Sequence, residues 1–212
     1  MTDGARPRLD RASVVDAALA TLEERGLDGL SGHAVARRLG VRQPALYHHF
    51  RGMADLLDAT AATVLDRSHT DRLPAPGDTW ADFLTRNARS LRRAMLSVRD
   101  GARLVASSGS RAPNVANAVA QVAFLESEGF GGPEAVLAFI AVSRYTIGST
   151  LEQQSAPGGS DIELDGGGTD GGGAVPGADR LAALAAEVTA LGPDHEFEVG
   201  LAALVRGLAP TG

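Results

Sequence analysis

The 212-residue sequence contains no cysteine and no lysine. Without cysteine, the chain has no disulfide, no thiolate metal ligand and no cysteine nucleophile, which fits a reducing compartment. The sequence also lacks an apolar signal core near its start and any uncharged apolar run of the roughly 18 residues that a membrane-spanning helix needs. We therefore expect no secretion and no membrane insertion, and we expect a cytoplasmic protein.

Charge is unevenly distributed along the chain. The whole sequence has a formal net charge of −6. Residues 1–52 hold eight arginines against six acidic residues, a balance of +2, and the remaining residues have a balance of −8. An acidic body repels the phosphate backbone of nucleic acid. Any contact with DNA is therefore expected in the first quarter of the chain.

Three helices are predicted before residue 52. Apolar residues at helical spacing, a capping side chain and a final glycine predict a first helix that ends at Gly26. A short second helix is expected from its cap Ser31 to Gly40, which tolerates a left-handed backbone. The dipeptide Gln43-Pro44 then opens a third helix that continues through Phe50. A helix, a glycine turn and a short polar-faced helix are typical of the helix-turn-helix motif.

The rest of the chain is also predicted to be helical. A long helix is expected from Met53 to the proline-rich stretch at 73–77, and another follows the capping box Thr79-x-x-Asp82. Residues 155–177 are rich in glycine and predict a flexible loop. Further helices are expected over 100–107, 114–128, 133–154, 178–191 and 194–208.

No strand pattern is present in the sequence. The predicted fold class is therefore all-α, with an N-terminal three-helix head joined to a larger helical domain. We expect the helix-turn-helix domain to span residues 1–52 and the larger helical domain to span residues 53–212.

These segments resemble the TetR family of transcriptional repressors, and within it the tetracycline-binding group. The resemblance in the head is carried by GLDGLSGHAVARRLGVRQPALYHHF, and in the body by LLDATAATVLDRSHT, TWADFLTRNARS, MLSVRDGARL, AFLESEGF and AVSRYTIGSTLEQQ. It covers most of residues 8–154 and, more loosely, the last two helices. It implies a ligand-responsive repressor that binds a palindromic double-stranded operator with its head and is released by a small molecule bound in its C-terminal domain. The resemblance thus implies that the domain at residues 53–212 binds the ligand and forms the dimer.

The resemblance implies that the third helix enters the major groove. Gln43 is suited to an adenine edge, since its amide both donates and accepts, and Pro44 and Ala45 are suited to a thymine methyl. Tyr47 and His48 are suited to phosphate. The implied DNA-binding residues are His33, Arg42, Gln43, Pro44, Ala45, Tyr47 and His48.

Two aromatic residues and one departure from the family leave alternatives open. Tyr47 and Phe50 are also compatible with simple core packing, and for Phe50 we favour the core. The lysine that usually anchors phosphate at the start of the fourth helix in this family corresponds to Met53 here. Loss of that contact keeps open the alternative of a small-molecule-binding regulator with a weakened or lost DNA-binding head.

A ligand-binding set is implied by the same resemblance. The ligand expected is a planar or polyketide-like molecule. Taken singly, His69 and Asn87 could be surface residues satisfied by water, and Gln121 could cap a neighbouring backbone. Their joint presence favours ligand binding. The implied set is His69, Asn87, Leu91, Val105, Gln121, Val122 and Glu152.

No metal or cofactor is predicted in this set. In the tetracycline binders of the family a histidine that ligates magnesium stands at the position of Val105. Valine has no lone pair, so Mg²⁺ held in that way is not expected. Tetracycline together with Mg²⁺ is therefore the less favoured candidate for the ligand.

A homodimer is expected because helix-turn-helix heads read two half-sites. The interface predicted is a four-helix bundle of the helix at 133–154 and the terminal helix, with Glu152 reaching the partner's pocket. The alternative is that their apolar stripes are buried within one chain. Those stripes are Val136, Phe139, Ile140 and Ile147, and Phe197, Leu201, Leu204, Val205 and Leu208.

Motifs of the common enzyme classes are absent from the sequence. It contains no Gly-x-Ser-x-Gly elbow, no Gly-Lys-Ser/Thr phosphate loop and no His-Glu-x-x-His zinc motif. No enzyme activity is expected. The sequence does not distinguish a repressor from an activator.

Overall fold

The structure is a computed structural model that describes residues 9–108, 114–155 and 176–210. Within these three ranges the chain forms helices and turns, and no strand occurs. The predicted all-α fold is confirmed. The predicted glycine-rich loop at 155–177 lies almost entirely outside the described residues.

Capping side chains set several helix starts at the predicted positions. Asp10 and Ser13 form a reciprocal capping box on the first helix, and Thr79 and Asp82 form another on the fourth α-helix. Ser31 caps the second helix. In chain order the elements are α1 (Arg11–Arg25), α2 (Gly32–Leu39), a 3₁₀ helix (Gln43–His48), α3 (Met53–Ser68), α4 (Trp80–Leu96), α5 (Gly101–Ser107), α6 (Val115–Ser127), α7 (Gly132–Ser155) and α8 (Ala178–Arg206).

The head has its own hydrophobic core, formed by α1, α2, the 3₁₀ helix and α3. Val14, Val35, Leu46 and Leu56 are buried in it. Burying a side chain of this size stabilises the fold by about 1.5–3 kcal/mol. Leu104 of α5 enters the same core, so the head packs against the body.

The third helix differs from its prediction in type and length. It is a 3₁₀ helix that ends at His48, whereas an α-helix continuing through Phe50 was expected. A hydrogen bond from the His49 N–H to the Leu46 carbonyl, at 2.9 Å, closes its last turn. Helices this short gain little from α-helical cooperativity, and the tighter 3₁₀ form is common in short pieces. Phe50 lies beyond the helix end and is buried, as expected.

The body is held by two further apolar clusters. The larger one joins α4, α6, α7 and the second half of α8, with Phe83, Leu125 and Leu201 fully buried in it. A smaller cluster contains Leu91 and Val105, with side chains of α3 and α7 packed against it. None of the helices in the described part of the chain is long and apolar enough to cross a membrane.

The two predicted terminal helices are the two halves of α8. They are separated by a break at Gly192, which has a φ of 81° and a ψ of 162°, followed by Pro193. Arg92 of α4 holds the break in place. Its guanidinium pairs with Asp194 at 2.7 Å and lies 4.8 Å from the centre of the Phe197 ring.

The α8 stripe follows the alternative of burial within one chain, and the four-helix bundle between two copies stays a prediction. Phe197, Leu201 and Val205 are buried within one chain, because the second half of α8 packs on α4 and α7. Leu204 and Leu208 are half-buried against the same cluster. The exposed large apolar residues of α7 and of the first half of α8 are Val136, Leu137, Ile140, Leu181, Leu184, Val188 and Leu191.

Candidate functional site

The turn after α2 orients the 3₁₀ helix. Gly40 adopts a left-handed backbone with a φ of 66°, a conformation that glycine enters without a Cβ penalty. The Val41 N–H then donates to the carbonyl of Ala36 at 3.0 Å. The chain reverses here, and Arg42 stands exposed as the N-cap residue of the 3₁₀ helix.

The 3₁₀ geometry sorts the predicted DNA-binding residues onto separate edges. Because a 3₁₀ helix has three residues per turn, residues three apart lie above one another. Leu46 faces the core, and Gln43 on the same edge is half-buried. The other edges carry Pro44 with Tyr47 and Ala45 with His48. Tyr47 is 46% exposed, and Pro44 and His48 are also exposed.

Hydrogen bonds connect three of the predicted DNA-binding residues. Nδ1 of His33 lies 3.2 Å from Oε1 of Gln43, and Nε2 of Gln43 donates to the Tyr47 hydroxyl at 3.0 Å. Gly32 leaves room for this arrangement, because a Cβ there would lie 3.1 Å from the Gln43 amide nitrogen. The start of α2 and the 3₁₀ helix therefore present one continuous polar face.

Some arginines of the head are paired with carboxylates. Arg38 bonds Glu24 at 2.8 Å, and Arg11 bonds Asp55 at 2.9 Å. The hydrogen bond from Arg38 lowers the pKa of Glu24, and the hydrogen bond from Arg11 lowers that of Asp55. These pairs neutralise part of the positive charge that the sequence places in the head.

Three of the predicted ligand-binding residues converge on the loop at residues 69–72, which follows α3. His69 itself begins the loop. Asn87 of α4 donates from Nδ2 to the carbonyl of Asp71 at 2.9 Å, and Gln121 of α6 donates from Nε2 to the carbonyl of Arg72 at 2.6 Å. Asn87 and Gln121 are buried. The structure thus brings His69, Asn87 and Gln121 together, and Gln121 caps a neighbouring backbone.

Sequence reasoning missed Ser90, which completes this polar cluster. Ser90 is fully buried, and its Oγ lies 2.9 Å from Nδ1 of His69 and accepts from the Asp71 N–H at 3.1 Å. It follows Asn87 by three residues, so both lie on one face of α4. That spacing was a usable signal. The other missed residue is Arg72, and no pattern singles out a loop arginine.

His69 is neutral near pH 7. Burial, reinforced by the positive charge of Arg72, lowers the pKa of His69 to about 4. Its ring therefore acts as a neutral hydrogen-bonding group beside Ser90 and brings no charge to the cluster.

The remaining predicted ligand-binding residues lie in three different surroundings. Leu91 and Val105 are buried in the small apolar cluster between α4 and α5. Val122 is half-buried against the larger cluster of the body. Glu152 is exposed on α7. Within one chain, Val122 and Glu152 are therefore not brought to the polar cluster.

The donor set around Val105 does not fit a magnesium ion held at that position. Val105 has no lone pair and packs against the apolar side chains of Leu91, Met95 and Ala102. Among the residues that the structure describes, no three His, Asp or Glu side chains are grouped as metal ligands.

A helix-turn-helix head packed on a helical body with a polar site behind it defines a one-component transcriptional regulator. The family model for "Bacterial regulatory proteins, tetR family" matches residues 14–60. The model for "Tetracyclin repressor-like, C-terminal domain" matches residues 73–211. The chain belongs to the TetR family of ligand-responsive transcriptional repressors, as its sequence predicted.

The similarity to individual relatives extends over nearly the whole chain. The chain is 44% identical over 205 residues to the tetracycline repressor protein class A from transposon 1721 of Escherichia coli, covering 95% of this chain and 91% of that protein. It resembles the crystal structure of TetR from Acinetobacter baumannii AYE with a TM-score of 0.76 and 41% identity, over 94% of this chain and 96% of that one. For TetR (class A) in complex with 5a,6-anhydrotetracycline and magnesium, the TM-score is 0.70 with 39% identity, over 94% and 98% of the two chains.

Proposed function

We propose that this protein is a homodimeric repressor that binds a palindromic operator through the 3₁₀ helix and the start of α2. A small molecule bound beside residues 69–72 releases it from DNA. The observation that carries the proposal is the hydrogen-bonded set of exposed His33, half-buried Gln43 and exposed Tyr47 on a head of this family.

The proposed DNA contacts divide into base reading and phosphate binding. Gln43 reads a base edge after exchanging its bonds to His33 and Tyr47 for bonds to DNA. Pro44 and Ala45 contact a thymine methyl on the outer edges of the 3₁₀ helix. The phosphate contacts are assigned to Arg42, Tyr47 and His48.

The proposed ligand site lies where α3, α4 and α6 meet at residues 69–72. α3 begins five residues after the 3₁₀ helix and ends at Ser68, so it connects the DNA-binding face directly to His69. A ligand that displaces the hydrogen bonds of Asn87 or Gln121 to this loop changes the position of the loop and of α3. The dimer has one spacing of the heads that fits the operator and one that does not. The ligand shifts the equilibrium between these two conformations only by the difference in its affinity for them.

The ligand proposed is a planar or polyketide-like molecule. The relatives named above are tetracycline repressors, which supports a multi-ring ligand. Val105 offers no metal donor, so we propose binding that does not depend on magnesium at this position.

The homodimer is supported by exposed apolar side chains on α7. Leu137, Ile140 and Arg144 line a groove of about 430 Å³ that ends at Leu208 and Ala209. The first half of α8 adds exposed leucines to the apolar surface left uncovered by one chain. Exposed apolar side chains grouped around a groove are typical of interaction sites. A second copy also supplies the second head that a palindromic operator requires.

We further propose the head at residues 1–52 and the body at 53–212 as the two domains. A repressor works where the DNA is, so we propose a cytoplasmic location. No catalytic role is assigned to any residue.

The second candidate function is a ligand-binding regulator whose head binds DNA weakly or not at all. Two observations favour it. Met53, at the start of α3, packs against the head core and offers no charge to phosphate. Arg11 and Arg38 are already paired with carboxylates.

A gel-shift on the DNA that flanks the gene for this protein separates the two candidates. A repressor binds one site in that DNA with an affinity that falls steeply as salt rises, because phosphate contacts release counterions. Tetracyclines and related polyketides, each with and without Mg²⁺, are then added to find the one that releases the DNA. Binding that is absent at all salt concentrations rejects the repressor and supports the second candidate.

A further inference from the structure

The guanidinium of Arg72 has an amino group, Nη2, whose two N–H donors no group in the described part of the chain uses. Its Nε donates to the carbonyl of His69 at 3.0 Å, and its Nη1 donates to Asp66 at 2.8 Å. Its Nη2 is buried and has no hydrogen-bond partner. A buried donor left unpaired destabilises the fold, and most such donors in proteins are complemented by protein, water or a ligand.

Arg72 belongs to the polar cluster of the proposed ligand site. Its backbone carbonyl accepts from Gln121, and its side chain touches the backbone of His69. Among the described residues, Arg92 also has a buried unpaired nitrogen, its Nε. The Arg92 guanidinium, however, is enclosed by Asp194, Gln153 and the Phe197 ring, which fix it to α7 and α8. Only the Arg72 donor lies among the predicted ligand-binding residues.

The positive charge of Arg72 is incompletely balanced. Asp66 is 69% exposed, so water shares in its charge. Asp71, the carboxylate in the same loop, is bound by Arg86 at 2.9 Å and by Arg93 at 3.0 Å. His69 is neutral, and position 105 holds a valine that brings no metal ion. The cluster therefore offers a cation whose Nη2 donors are unused, and the carboxylate that binds this arginine, Asp66, is on Nη1 and exposed to water.

We propose that the ligand of this protein carries a carboxylate, and that Nη2 of Arg72 binds one of its oxygens directly without a metal ion. The inference rests on the proposed function and adds the chemical class of the ligand. An N–H of Nη2 suits a carboxylate oxygen, and the charge on both partners strengthens the bond.

The test uses anthraquinone-2-carboxylate and its methyl ester as probes with the full-length protein. The two share a planar three-ring body and differ in charge. In isothermal titration calorimetry at pH 7.5, the acid is expected to bind about tenfold or more tightly than the ester, as a charge-assisted hydrogen bond implies. In Arg72→Met the acid is expected to lose that advantage while the ester keeps its affinity.

Two further variants control for charge and position. Arg93→Met removes an arginine whose contact is already taken by Asp71, so the preference for the acid is expected to remain. Arg72→Lys keeps the positive charge and is expected to keep part of the preference. If Arg93→Met loses the preference for the acid as completely as Arg72→Met does, the preference comes from the overall positive charge of the cluster. That result would overturn the direct contact with Arg72.

The wild-type comparison decides the ligand class even if a variant fails to fold. Equal affinity for acid and ester, or no binding of the acid, overturns the proposal. If the acid fails while tetracycline with Mg²⁺ releases the DNA in the gel-shift, the ligand class is wrong and the repressor function stands. If no DNA is bound but the acid still binds through Arg72, the repressor function fails and the carboxylate site stands.

Discussion

The carboxylate of Asp100 accepts a hydrogen bond from the backbone N–H of Leu27 at 2.7 Å, which joins the start of α5 to the turn after α1. Asp100 has a φ of 54°, and no other non-glycine residue in the described ranges has a positive φ. Gly26 lies against it, because a Cβ there would be 2.8 Å from Oδ2 of Asp100. Body and head are therefore connected here as well as through α3.

Removing this carboxylate is expected to loosen the head. Asp100→Ala leaves the part-buried N–H of Leu27 without an acceptor and lowers the free energy of unfolding by about 1–3 kcal/mol. The matched control is Asp28→Ala, which breaks an exposed pair with Arg103 between the same two regions and is expected to have no measurable effect. Urea denaturation followed by circular dichroism measures both. Equal losses in the two variants would show that the Asp100 contact has no special role.

The protein is expected to lose stability as pH falls from 6.5 towards 4. The pKa of His69 is lowered to about 4 in the folded chain, against an ordinary value of 6.5. Below pH 6.5 the unfolded chain therefore takes up a proton that the folded chain excludes. The free energy of unfolding therefore has its full value above pH 6.5, and acidification lowers it by at most about 3 kcal/mol.

The control for this pH dependence is His69→Gln, which keeps a polar partner for Ser90 and removes the titration. Between pH 7 and pH 4.5 the wild type is expected to lose more unfolding free energy than His69→Gln. Parallel pH curves for the two proteins would contradict the buried neutral histidine.

Two substitutions on the DNA-binding face are expected to give different signatures. Gln43→Ala lowers operator affinity about tenfold or more and relaxes the preference at one base pair, because a base-edge contact contributes about 1–3 kcal/mol. Arg42→Gln weakens binding to all sequences and lowers the slope of log affinity against log salt by about 1. Fluorescence anisotropy over a salt series measures both, and exchanged signatures would reverse the two assignments.

Gly200 is expected to tolerate no side chain. A Cβ at Gly200 would lie 2.1 Å from the Tyr145 hydroxyl, which donates to the carbonyl of Phe197 at 3.0 Å while its ring stacks on the Phe197 ring. Gly200→Ala is expected to lower the melting temperature, through overpacking that costs about 1–3 kcal/mol. Combining it with Tyr145→Ala is expected to cost less than the sum of the two single changes, since the second removes the clash. Additive losses in the double variant would place the strain elsewhere.

A charge on the outer face of α7 is expected to prevent dimerisation. Leu137 is exposed and lines the groove near the chain end. Leu137→Glu is expected to give a monomer in light scattering and to lose operator binding. Leu73→Glu, at an exposed leucine in the loop after α3, serves as the control and is expected to leave the dimer intact. A Leu137→Glu protein that stays dimeric would move the interface away from α7.

The sequence predicted best what is decided locally. The caps Ser31 and Thr79 and the left-handed Gly40 depend on neighbours within a few positions, and each occurs where it was predicted. The 3₁₀ form of the third helix was not predicted, because α and 3₁₀ helices share the same composition in such short segments.

The contacts of the candidate site were harder to predict. The meeting of Asn87 and Gln121 at the 69–72 loop joins segments far apart in sequence, and only the resemblance to the family indicated it. The role of Arg72 depends on a buried nitrogen, which no pattern encodes. The stripe of Phe197, Leu201 and Val205 indicated correctly which side chains are buried, but a periodicity does not identify the surface that covers them.

The break at Gly192 divides α8 into two helical segments. Pro193 has no N–H to bond, so the break sacrifices no helical hydrogen bond at that residue. Arg92 binds the chain directly after the break, through an ion pair with Asp194 and a hydrogen bond to the Pro193 carbonyl. These contacts hold the second segment against the core. The contacts of Arg92 therefore fix the second half of α8 at its start, and the direction of the first half is set separately by the backbone angles of Gly192.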